Sequence, residues 1–344
     1  MNLLVTGGAG FIGSNFILYM LEKYHDIHIV NLDKLTYAAN LKYLEKAIDD
    51  PRHVFVKGDI CDRRLVEDIF ARYMVEGVIH FAAESHVDNS IRDPNAFVET
   101  NVLGTSNLLE VARNFWMDGV GNYKEHYKNS RFHHISTDEV YGSLGKDGYF
   151  TEGSPYAPNS PYSASKASSD MMVRSYFHTY GMNIVTTNCS NNYGPRQHEE
   201  KLFPTIIRRA LALETIPIYG NGQNIRDWLY VEDHCQAIDH VFFKGKSGES
   251  YLIGGHNEWS NIDVAYKICE VLNKLKPVLK NEKGITCYEQ LITFVKDRPG
   301  HDYRYAIDDS KLKSEVGFEI TSNFHLGIEE TILWYLNNHV VANK

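Results

Sequence analysis

Gly7, Gly10 and Gly13, set in the run Gly7-Gly8-Ala9-Gly10-Phe11-Ile12-Gly13, stand between an apolar stretch, Leu3-Leu4-Val5, and a helical run, Ser14 to Glu22. No other feature constrains the fold as tightly. A glycine turn leading from a buried strand into a helix N-terminus forms a cradle for a pyrophosphate: Gly7 permits the tight turn, Gly10 lets the backbone approach the anion, and Gly13 allows close packing of the helix. The competing reading is an ordinary glycine turn. Asp33, roughly twenty residues further on and at the end of the next apolar run, weighs against it, because an acid there accepts hydrogen bonds from an adenosine ribose diol. The same carboxylate repels a 2′-phosphate, so NAD is expected in preference to NADP, with the adjacent Lys34 read as a solvated surface charge. Asp59 and Ile60 follow the run His53 to Lys57, where a carboxylate and a backbone amide can read an adenine edge; spacing alone equally allows a turn aspartate.

The runs Leu3 to Val5, His28 to Leu32, His53 to Lys57, Gly77 to Phe81 and Phe132 to Ser136 read as strands, with helical periodicity between them. Such alternation predicts an α/β fold: a doubly wound parallel sheet of the Rossmann type, covered by helices on both faces. Ile184 to Thr187 and Tyr251 to Gly254 are further strand candidates. From about Pro195 the alternation gives way to turns, so residues 1–194 are assigned to an NAD-binding domain, with returning segments near 225–257. Residues 195–344 are assigned mainly to a smaller C-terminal α/β substrate domain. Met117 to Lys128 reads as a polar surface insertion.

The chain has 344 residues, 43% of them hydrophobic and 23% charged, a globular composition with a core large enough to need no disulfides. A net charge of -9 argues against nonspecific nucleic-acid binding and for a metabolite partner. The five cysteines form no CxxC pair, which suggests neither a metal site nor a disulfide framework. No apolar run approaches bilayer-spanning length, and no signal peptide precedes the glycine motif, so a cytoplasmic setting is expected.

Tyr162-Ser163-Ala164-Ser165-Lys166 is a YxxxK motif, and its i, i+4 spacing puts phenol and ammonium on one helix face. A tyrosine is a poor base at neutral pH unless its phenolate is favoured, which an adjacent ammonium and a cationic nicotinamide would do. On most helices YxxxK is only a packed aromatic beside a solvated lysine. Its coupling to the glycine fingerprint changes that reading. Ser136-Thr137-Asp138-Glu139-Val140-Tyr141-Gly142 ends a predicted strand, where open α/β sheets present ligands.

Together with Phe81-Ala82-Ala83-Glu84-Ser85-His86-Val87-Asp88, these motifs resemble the extended short-chain dehydrogenases. More narrowly, they resemble the dTDP-glucose 4,6-dehydratases, through Lys34-Leu35-Thr36-Tyr37-Ala38, Ser190-Asn191-Asn192-Tyr193-Gly194-Pro195, Arg226 to His234 and Asp297-Arg298-Pro299-Gly300-His301-Asp302. The resemblance spans about residues 1–336. It implies an NAD-dependent hydro-lyase in which Thr137 and Tyr162 orient the sugar 4-hydroxyl, Lys166 holds the nicotinamide ribose, Asp138 is the acid and Glu139 the base. It adds Phe11, Ile12, Leu35, Thr36, Phe81, Ala82, Ala83, Ser85, Thr100 and Asn192 to the cofactor contacts. For the nucleotide sugar, dTDP-glucose, it implies Ser85, Asn191, Lys201, Leu202, Pro217, Ile218, Tyr219, Arg226, Asn261 and Asp297 to His301. Each has a plainer alternative: Arg226 in a local ion pair, for example, or Asn261 capping the helix Ile262 to Asn273. Ala39, Arg196, His198 and Glu199 depart from the family pattern.

Oxidation at C4 acidifies the C5 proton, so a base and an acid side by side suit elimination of the 6-hydroxyl. A random Asp-Glu pair is an exposed acidic turn. On the ligand side of a sheet, burial and mutual repulsion would instead keep one of the two protonated. A UDP-sugar 4-epimerase needs no such pair; it and other nucleotide-sugar dehydratases are the alternatives within enzymes, and a catalytically silent NAD-binding regulator is the alternative outside them. The family resemblance also implies a homodimer, pairing long helices at Phe97 to Phe115 and Ser163 to Tyr180.

Overall fold

A computed structural model describes residues 1–297 and 299–338. In chain order its first half runs β1 (Asn2–Thr6), α1 (Phe11–Lys23), β2 (His28–Asp33), β3 (His53–Lys57), α2 (Arg63–Tyr73), β4 (Gly77–His80), α3 (Val87–Arg92), α4 (Pro94–Phe97), α5 (Thr105–Trp116), a hairpin of β5 (Met117–Gly119) and β6 (Asn122–Tyr123), β7 (Arg131–Thr137), α6 (Pro161–Tyr180) and β8 (Ile184–Cys189). There follow β9 (Asn191–Tyr193), α7 (Leu202–Leu211), β10 (Ile216–Tyr219), β11 (Ile225–Tyr230), α8 (Val231–Lys244), β12 (Ser250–Ile253), β13 (Glu258–Ser260), α9 (Asn261–Leu275), β14 (Ile292–Val295) and α10 (Phe324–Asn337).

The central sheet has seven strands in the order β12-β8-β7-β4-β1-β2-β3, every neighbouring pair parallel. This is the doubly wound sheet expected from the alternation, and β12 is the late strand that joins it, beside β8. Period-two alternation explains why its strands read as unbroken apolar runs. Leu3 and Val5 of β1 pack with residues of α1 and α8 on one face, whereas Leu4 packs with α2, α5 and α6 on the other. Strand order reverses between β1 and β4, so a crevice opens at their carboxyl ends.

The second half builds its own core from Phe203, Ile206 and Ile207 of α7, Ile216 and Ile218 of β10, Trp228 of β11, Ile268 and Leu272 of α9, and Phe324, Ile328 and Ile332 of α10. Among the described residues no helix is long and apolar enough to cross a membrane.

One expectation about elements needs correction. The helix predicted over Phe97 to Phe115 is interrupted: α4 and α5 are joined by a π-helical segment, Val98–Gly104. Buried Asn101 accounts for it, because its side chain reaches out of the helix to the amide and carbonyl of Glu84 and to the Ser165 hydroxyl. The Met117 to Lys128 segment is mostly exposed, as its polar composition implies, but it is anchored. Met117 and Tyr127 are buried in the main core, which pins the β5–β6 hairpin down.

Candidate active site

The glycine turn closes as the residue types dictate. Gly7 has φ +72°, and a Cβ there would lie 2.7 Å from the Ala82 nitrogen; one on Gly13 would lie 2.3 Å from the Gly7 carbonyl oxygen. Backbone, not a movable side chain, occupies that space. Gly10 caps α1 without any side-chain bond, so the first amides of that helix point into the crevice with the positive end of its dipole. Asp33 is buried, its two carboxylate oxygens accepting from the amides of Ala9 at 2.9 Å and Leu35 at 2.8 Å. Each oxygen keeps a lone pair for a further donor. Lys34 is not simply solvated: its Nζ lies 2.6 Å from Asp59, whose other oxygen accepts from the Cys61 amide. Burial raises the Asp59 pKa, but the Lys34 bond and that amide outweigh it and hold the carboxyl below its usual range.

A single cleft runs from this turn to the end of β7. Gly7, Gly10, Phe11, Ile12, Gly13, Asp33, Lys34, Thr36, Asp59, Ile60, Phe81, Ala82, Ala83, Ser85, Thr100, Thr137, Glu139, Tyr162, Lys166, Asn191, Asn192 and Lys201 all line it. Leu35 does not, although its amide fixes Asp33. Gly13→Ala should therefore weaken NAD binding about tenfold or more and lower thermal stability, read by titration and melting of the purified protein.

α6 is placed by strong local signals. Ser160 and Ser163 form a capping box, Pro161 occupies the first turn, and Gly181 ends the helix at φ +66°. Tyr162 and Lys166 lie one turn apart on its buried face. Lys166, 4% exposed, donates from Nζ to the Ile135 carbonyl at 2.7 Å. Burial pulls its pKa down, opposed by Asp170 and Cys189. The Tyr162 phenol is pushed well up, first by burial and then by Glu139, Cys189 and Asp138, with a hydrogen bond from Thr137 acting the other way. Here the Lys166 ammonium is turned to a strand carbonyl, so that without a cationic ring beside it the phenol favours its protonated form.

β7 runs into a 3₁₀ turn, Asp138–Tyr141, capped by Thr137, whose Oγ1 accepts from the Glu139 amide at 3.3 Å and donates to Asp138 Oδ1 at 3.3 Å. The turn splits the two acids. Glu139 faces the cleft, while Asp138 is 1% exposed and its Oδ2 has no hydrogen-bond partner in the structure. Burial, then the charges of Glu139 and Asp227, push the Asp138 pKa well up, against Arg226 and the Thr137 bond. Burial therefore favours the protonated form of Asp138.

The remaining substrate candidates lie outside this cleft. Arg226 forms no ion pair: it is buried, stacks over the Tyr305 ring at 4.3 Å and donates to the carbonyls of Ile225 and Asp302. Its field reaches Asp138. Asn261 is the first residue of α9, and Ser260 is the cap. Ile218 is buried in the second core, Leu202 at the start of α7 packs on its edge, and Pro217 is half-buried on β10 between Ile216 and Ile218. Tyr219 reaches Asp88 at 3.5 Å and packs against His301, which bonds Asp297 at 2.7 Å. Pro299 and Gly300 are exposed beside them; Arg298 lies outside the described residues. Among the departures, Ala39 and His198 line the cleft, whereas Arg196 is tied to Asn15 of α1 at 2.7 Å. Glu84, Cys189 and Glu200 also line the cleft and were not singled out; Glu84 and the residues beside Cys189 sit within motifs already noted, but nothing in spacing marks these side chains.

The family model for GDP-mannose 4,6 dehydratase matches residues 4–331. The dTDP-glucose 4,6-dehydratase of Neisseria meningitidis serogroup B is 51% identical over 98% of this chain and 93% of its own. The chain belongs to the dTDP-glucose 4,6-dehydratase family. Solved structures agree with that dehydratase assignment. The enzyme of Bacillus anthracis, in complex with NAD, is 45% identical with a TM-score of 0.84, covering 98% of this chain and 97% of that one. The enzyme DesIV of Streptomyces venezuelae, with NAD and dTDP bound, is 42% identical with a TM-score of 0.87, covering 98% of both chains.

Proposed function

We propose that this chain converts dTDP-glucose to dTDP-4-keto-6-deoxyglucose and water, as an NAD-dependent hydro-lyase of deoxysugar biosynthesis. One observation carries the reading: a buried Asp138, whose surroundings favour its protonated form, stands next to a cleft-facing Glu139, at the strand end that faces the Tyr162–Lys166 pair. An oxidation-only enzyme has no use for that second acid and base.

The residues present fit NAD. A Cβ at Gly7 or Gly13 would fill the backbone cradle, the α1 amides supply donors for the diphosphate, and Asp33 presents a buried carboxylate to the adenosine ribose. When bound there, NAD would take a hydride from C4 of the sugar and give it back at C6.

Thr137 and Tyr162 would hold the 4-hydroxyl; with a positive ring nearby the Tyr162 phenol would lose its own proton to solvent, and the phenolate would then take the 4-hydroxyl proton. Lys166 orients the nicotinamide ribose. Glu139 then removes the C5 proton, the C6–O bond breaks, and Asp138 gives its proton to the leaving hydroxyl, which departs as water. Glu139 returns a proton to C5. Asn191, Lys201 and Arg226 are proposed for the diphosphate, with Tyr219, Asn261 and Asp297 to His301 around the base. A cytoplasmic homodimer is proposed, on the exposed Leu103 and Met171 beside the paired α5 and α6.

Deuterium placed at C4 of dTDP-glucose should appear at C6 of the product, read by mass spectrometry and NMR. Label kept at C4 would favour the 4-epimerase reading; no turnover with any nucleotide hexose would favour the silent regulator.

A further inference from the structure

Asp170 is a buried charge to which the proposed mechanism assigns no step. It sits on α6 one turn beyond Lys166 and two beyond Tyr162, on the same face, and is 4% exposed. Donors from three other segments converge on its carboxylate: Ser136 Oγ of β7 at 2.9 Å, the Tyr156 hydroxyl at 2.9 Å and Asn188 Nδ2 of β8 at 3.1 Å. His134 Nε2 lies 3.1 Å from Oδ1. Although at ion-pair distance, that imidazole is neutral, its pKa pulled to about 4 by burial and Lys166. It therefore donates from Nε2–H. Burial raises the Asp170 pKa, but the His134 bond, the charge that His134 acquires in acid, the charge of Lys166 and the Ser136 bond overcome it and hold the carboxyl below its usual range. A neutral residue would satisfy packing; an anion here needs another reason.

Two connections supply one. Asn188 Nδ2 also donates to the Thr137 carbonyl at 3.1 Å, which joins Asp170 to the strand end bearing Thr137, Asp138 and Glu139. Lys166, whose ammonium burial disfavours, has Asp170 as its main electrostatic support. We infer that Asp170 is a positioning residue: a buried carboxylate that locks the face of α6 bearing Tyr162 and Lys166 to the end of β7, without touching substrate or cofactor. The inference rests on the proposed use of Tyr162 and Lys166 in C4 oxidation, but not on the dehydration that follows.

The groups facing this pair are His134 and Ser136 from β7, Asn188 and Cys189 from β8, His80 from β4, and Tyr141 and Tyr156 from the segment before α6. None of them replaces the lost charge at neutral pH. In Asp170→Asn holoenzyme, kcat for NAD reduction should fall roughly tenfold or more while KM holds within about twofold, and the alkaline limb of the profile should move about one unit down, as Lys166 loses its counter-charge.

A second readout needs no turnover. Asp170 has a folded pKa below its unfolded one, so the stability it adds is present above about pH 4 and lost as pH falls through the folded value. The melting temperature of Asp170→Asn should fall less steeply on acidification than that of the parent. An unmoved alkaline limb, with any activity loss matched by loss of folded protein, would overturn the inference. If Asp170→Asn does not fold, Asn188→Ala decides, since it keeps the carboxylate and cuts its link to Thr137: a kcat several-fold lower at unchanged KM supports the inference, and a parental kcat overturns it. A parent protein that reduces NAD but makes no 6-deoxy product would sink the dehydratase reading and leave this test intact.

Discussion

Asp138→Asn is expected to melt a few degrees above the parent protein at neutral pH while losing product formation by roughly 10²–10⁴-fold. Both effects follow from one placement. The carboxyl is buried with one oxygen lacking a partner, so its folded pKa lies above its unfolded one. An acid shifted that way weakens the fold as pH rises from the unfolded value towards the folded one, because the folded state must keep a proton that the unfolded state has released. Asparagine resembles the protonated acid in shape and has no proton to lose, so its advantage should vanish towards about pH 4. It also has no proton to give the leaving 6-hydroxyl. Oxidation at C4 comes earlier and does not need it, so NADH should accumulate on the variant. Glu139→Gln should accumulate NADH too, but differ in slowing exchange of the C5 proton with solvent deuterium. Scanning calorimetry across pH and NADH absorbance in a single turnover check these outcomes; a variant that turns over normally would remove Asp138 from the proposed mechanism.

Tyr162→Phe should abolish the first step instead. With no group to take the 4-hydroxyl proton, reduction of bound NAD should drop by roughly 10²–10⁴-fold. Substrate affinity should change little, since the phenyl ring stays packed against Phe97. Burst kinetics and equilibrium titration separate the two. The activity of the parent should rise with pH through the neutral range, because the phenol is pushed up by burial and by neighbouring carboxylates and must ionise to act. The phenylalanine variant should lack that dependence. Normal NADH formation in it would show that another group takes the proton.

The parallel sheet and the cofactor cleft were legible because their determinants are local. The Gly7–Gly13 turn, Asp33 and the YxxxK helix each carry their meaning in fixed spacing, and the fold places them around one cleft. What spacing could not reveal depends on contacts far apart in sequence. Asn101 opens a π-helical segment because Glu84 and Ser165 are there to receive it. Asp170 looks like any helix aspartate until β7, β8 and the Tyr156 loop fold over it. The surroundings of the Tyr162 phenol are hidden for the same reason: pattern puts an ammonium near it, but burial and two acids from the end of β7 also bear on its protonation. The nucleotide side is the most dispersed, with Arg226, Asn261 and His301 held on separate elements, so sequence order alone brings none of them together.

The edge position of β12 bears on how the chain reaches this state during synthesis. Ser250 to Ile253 pair with β8, and α8 covers the β1 face together with α1, so the sheet is unfinished until more than two thirds of the chain has left the ribosome. Until then β8 is an open strand edge with unpaired backbone N–H and C=O groups, the kind of surface that invites pairing with a neighbouring nascent chain. The cleft can therefore be assembled early from local signals, but it is sealed against aggregation only late, by a strand drawn from the region that otherwise builds the second core.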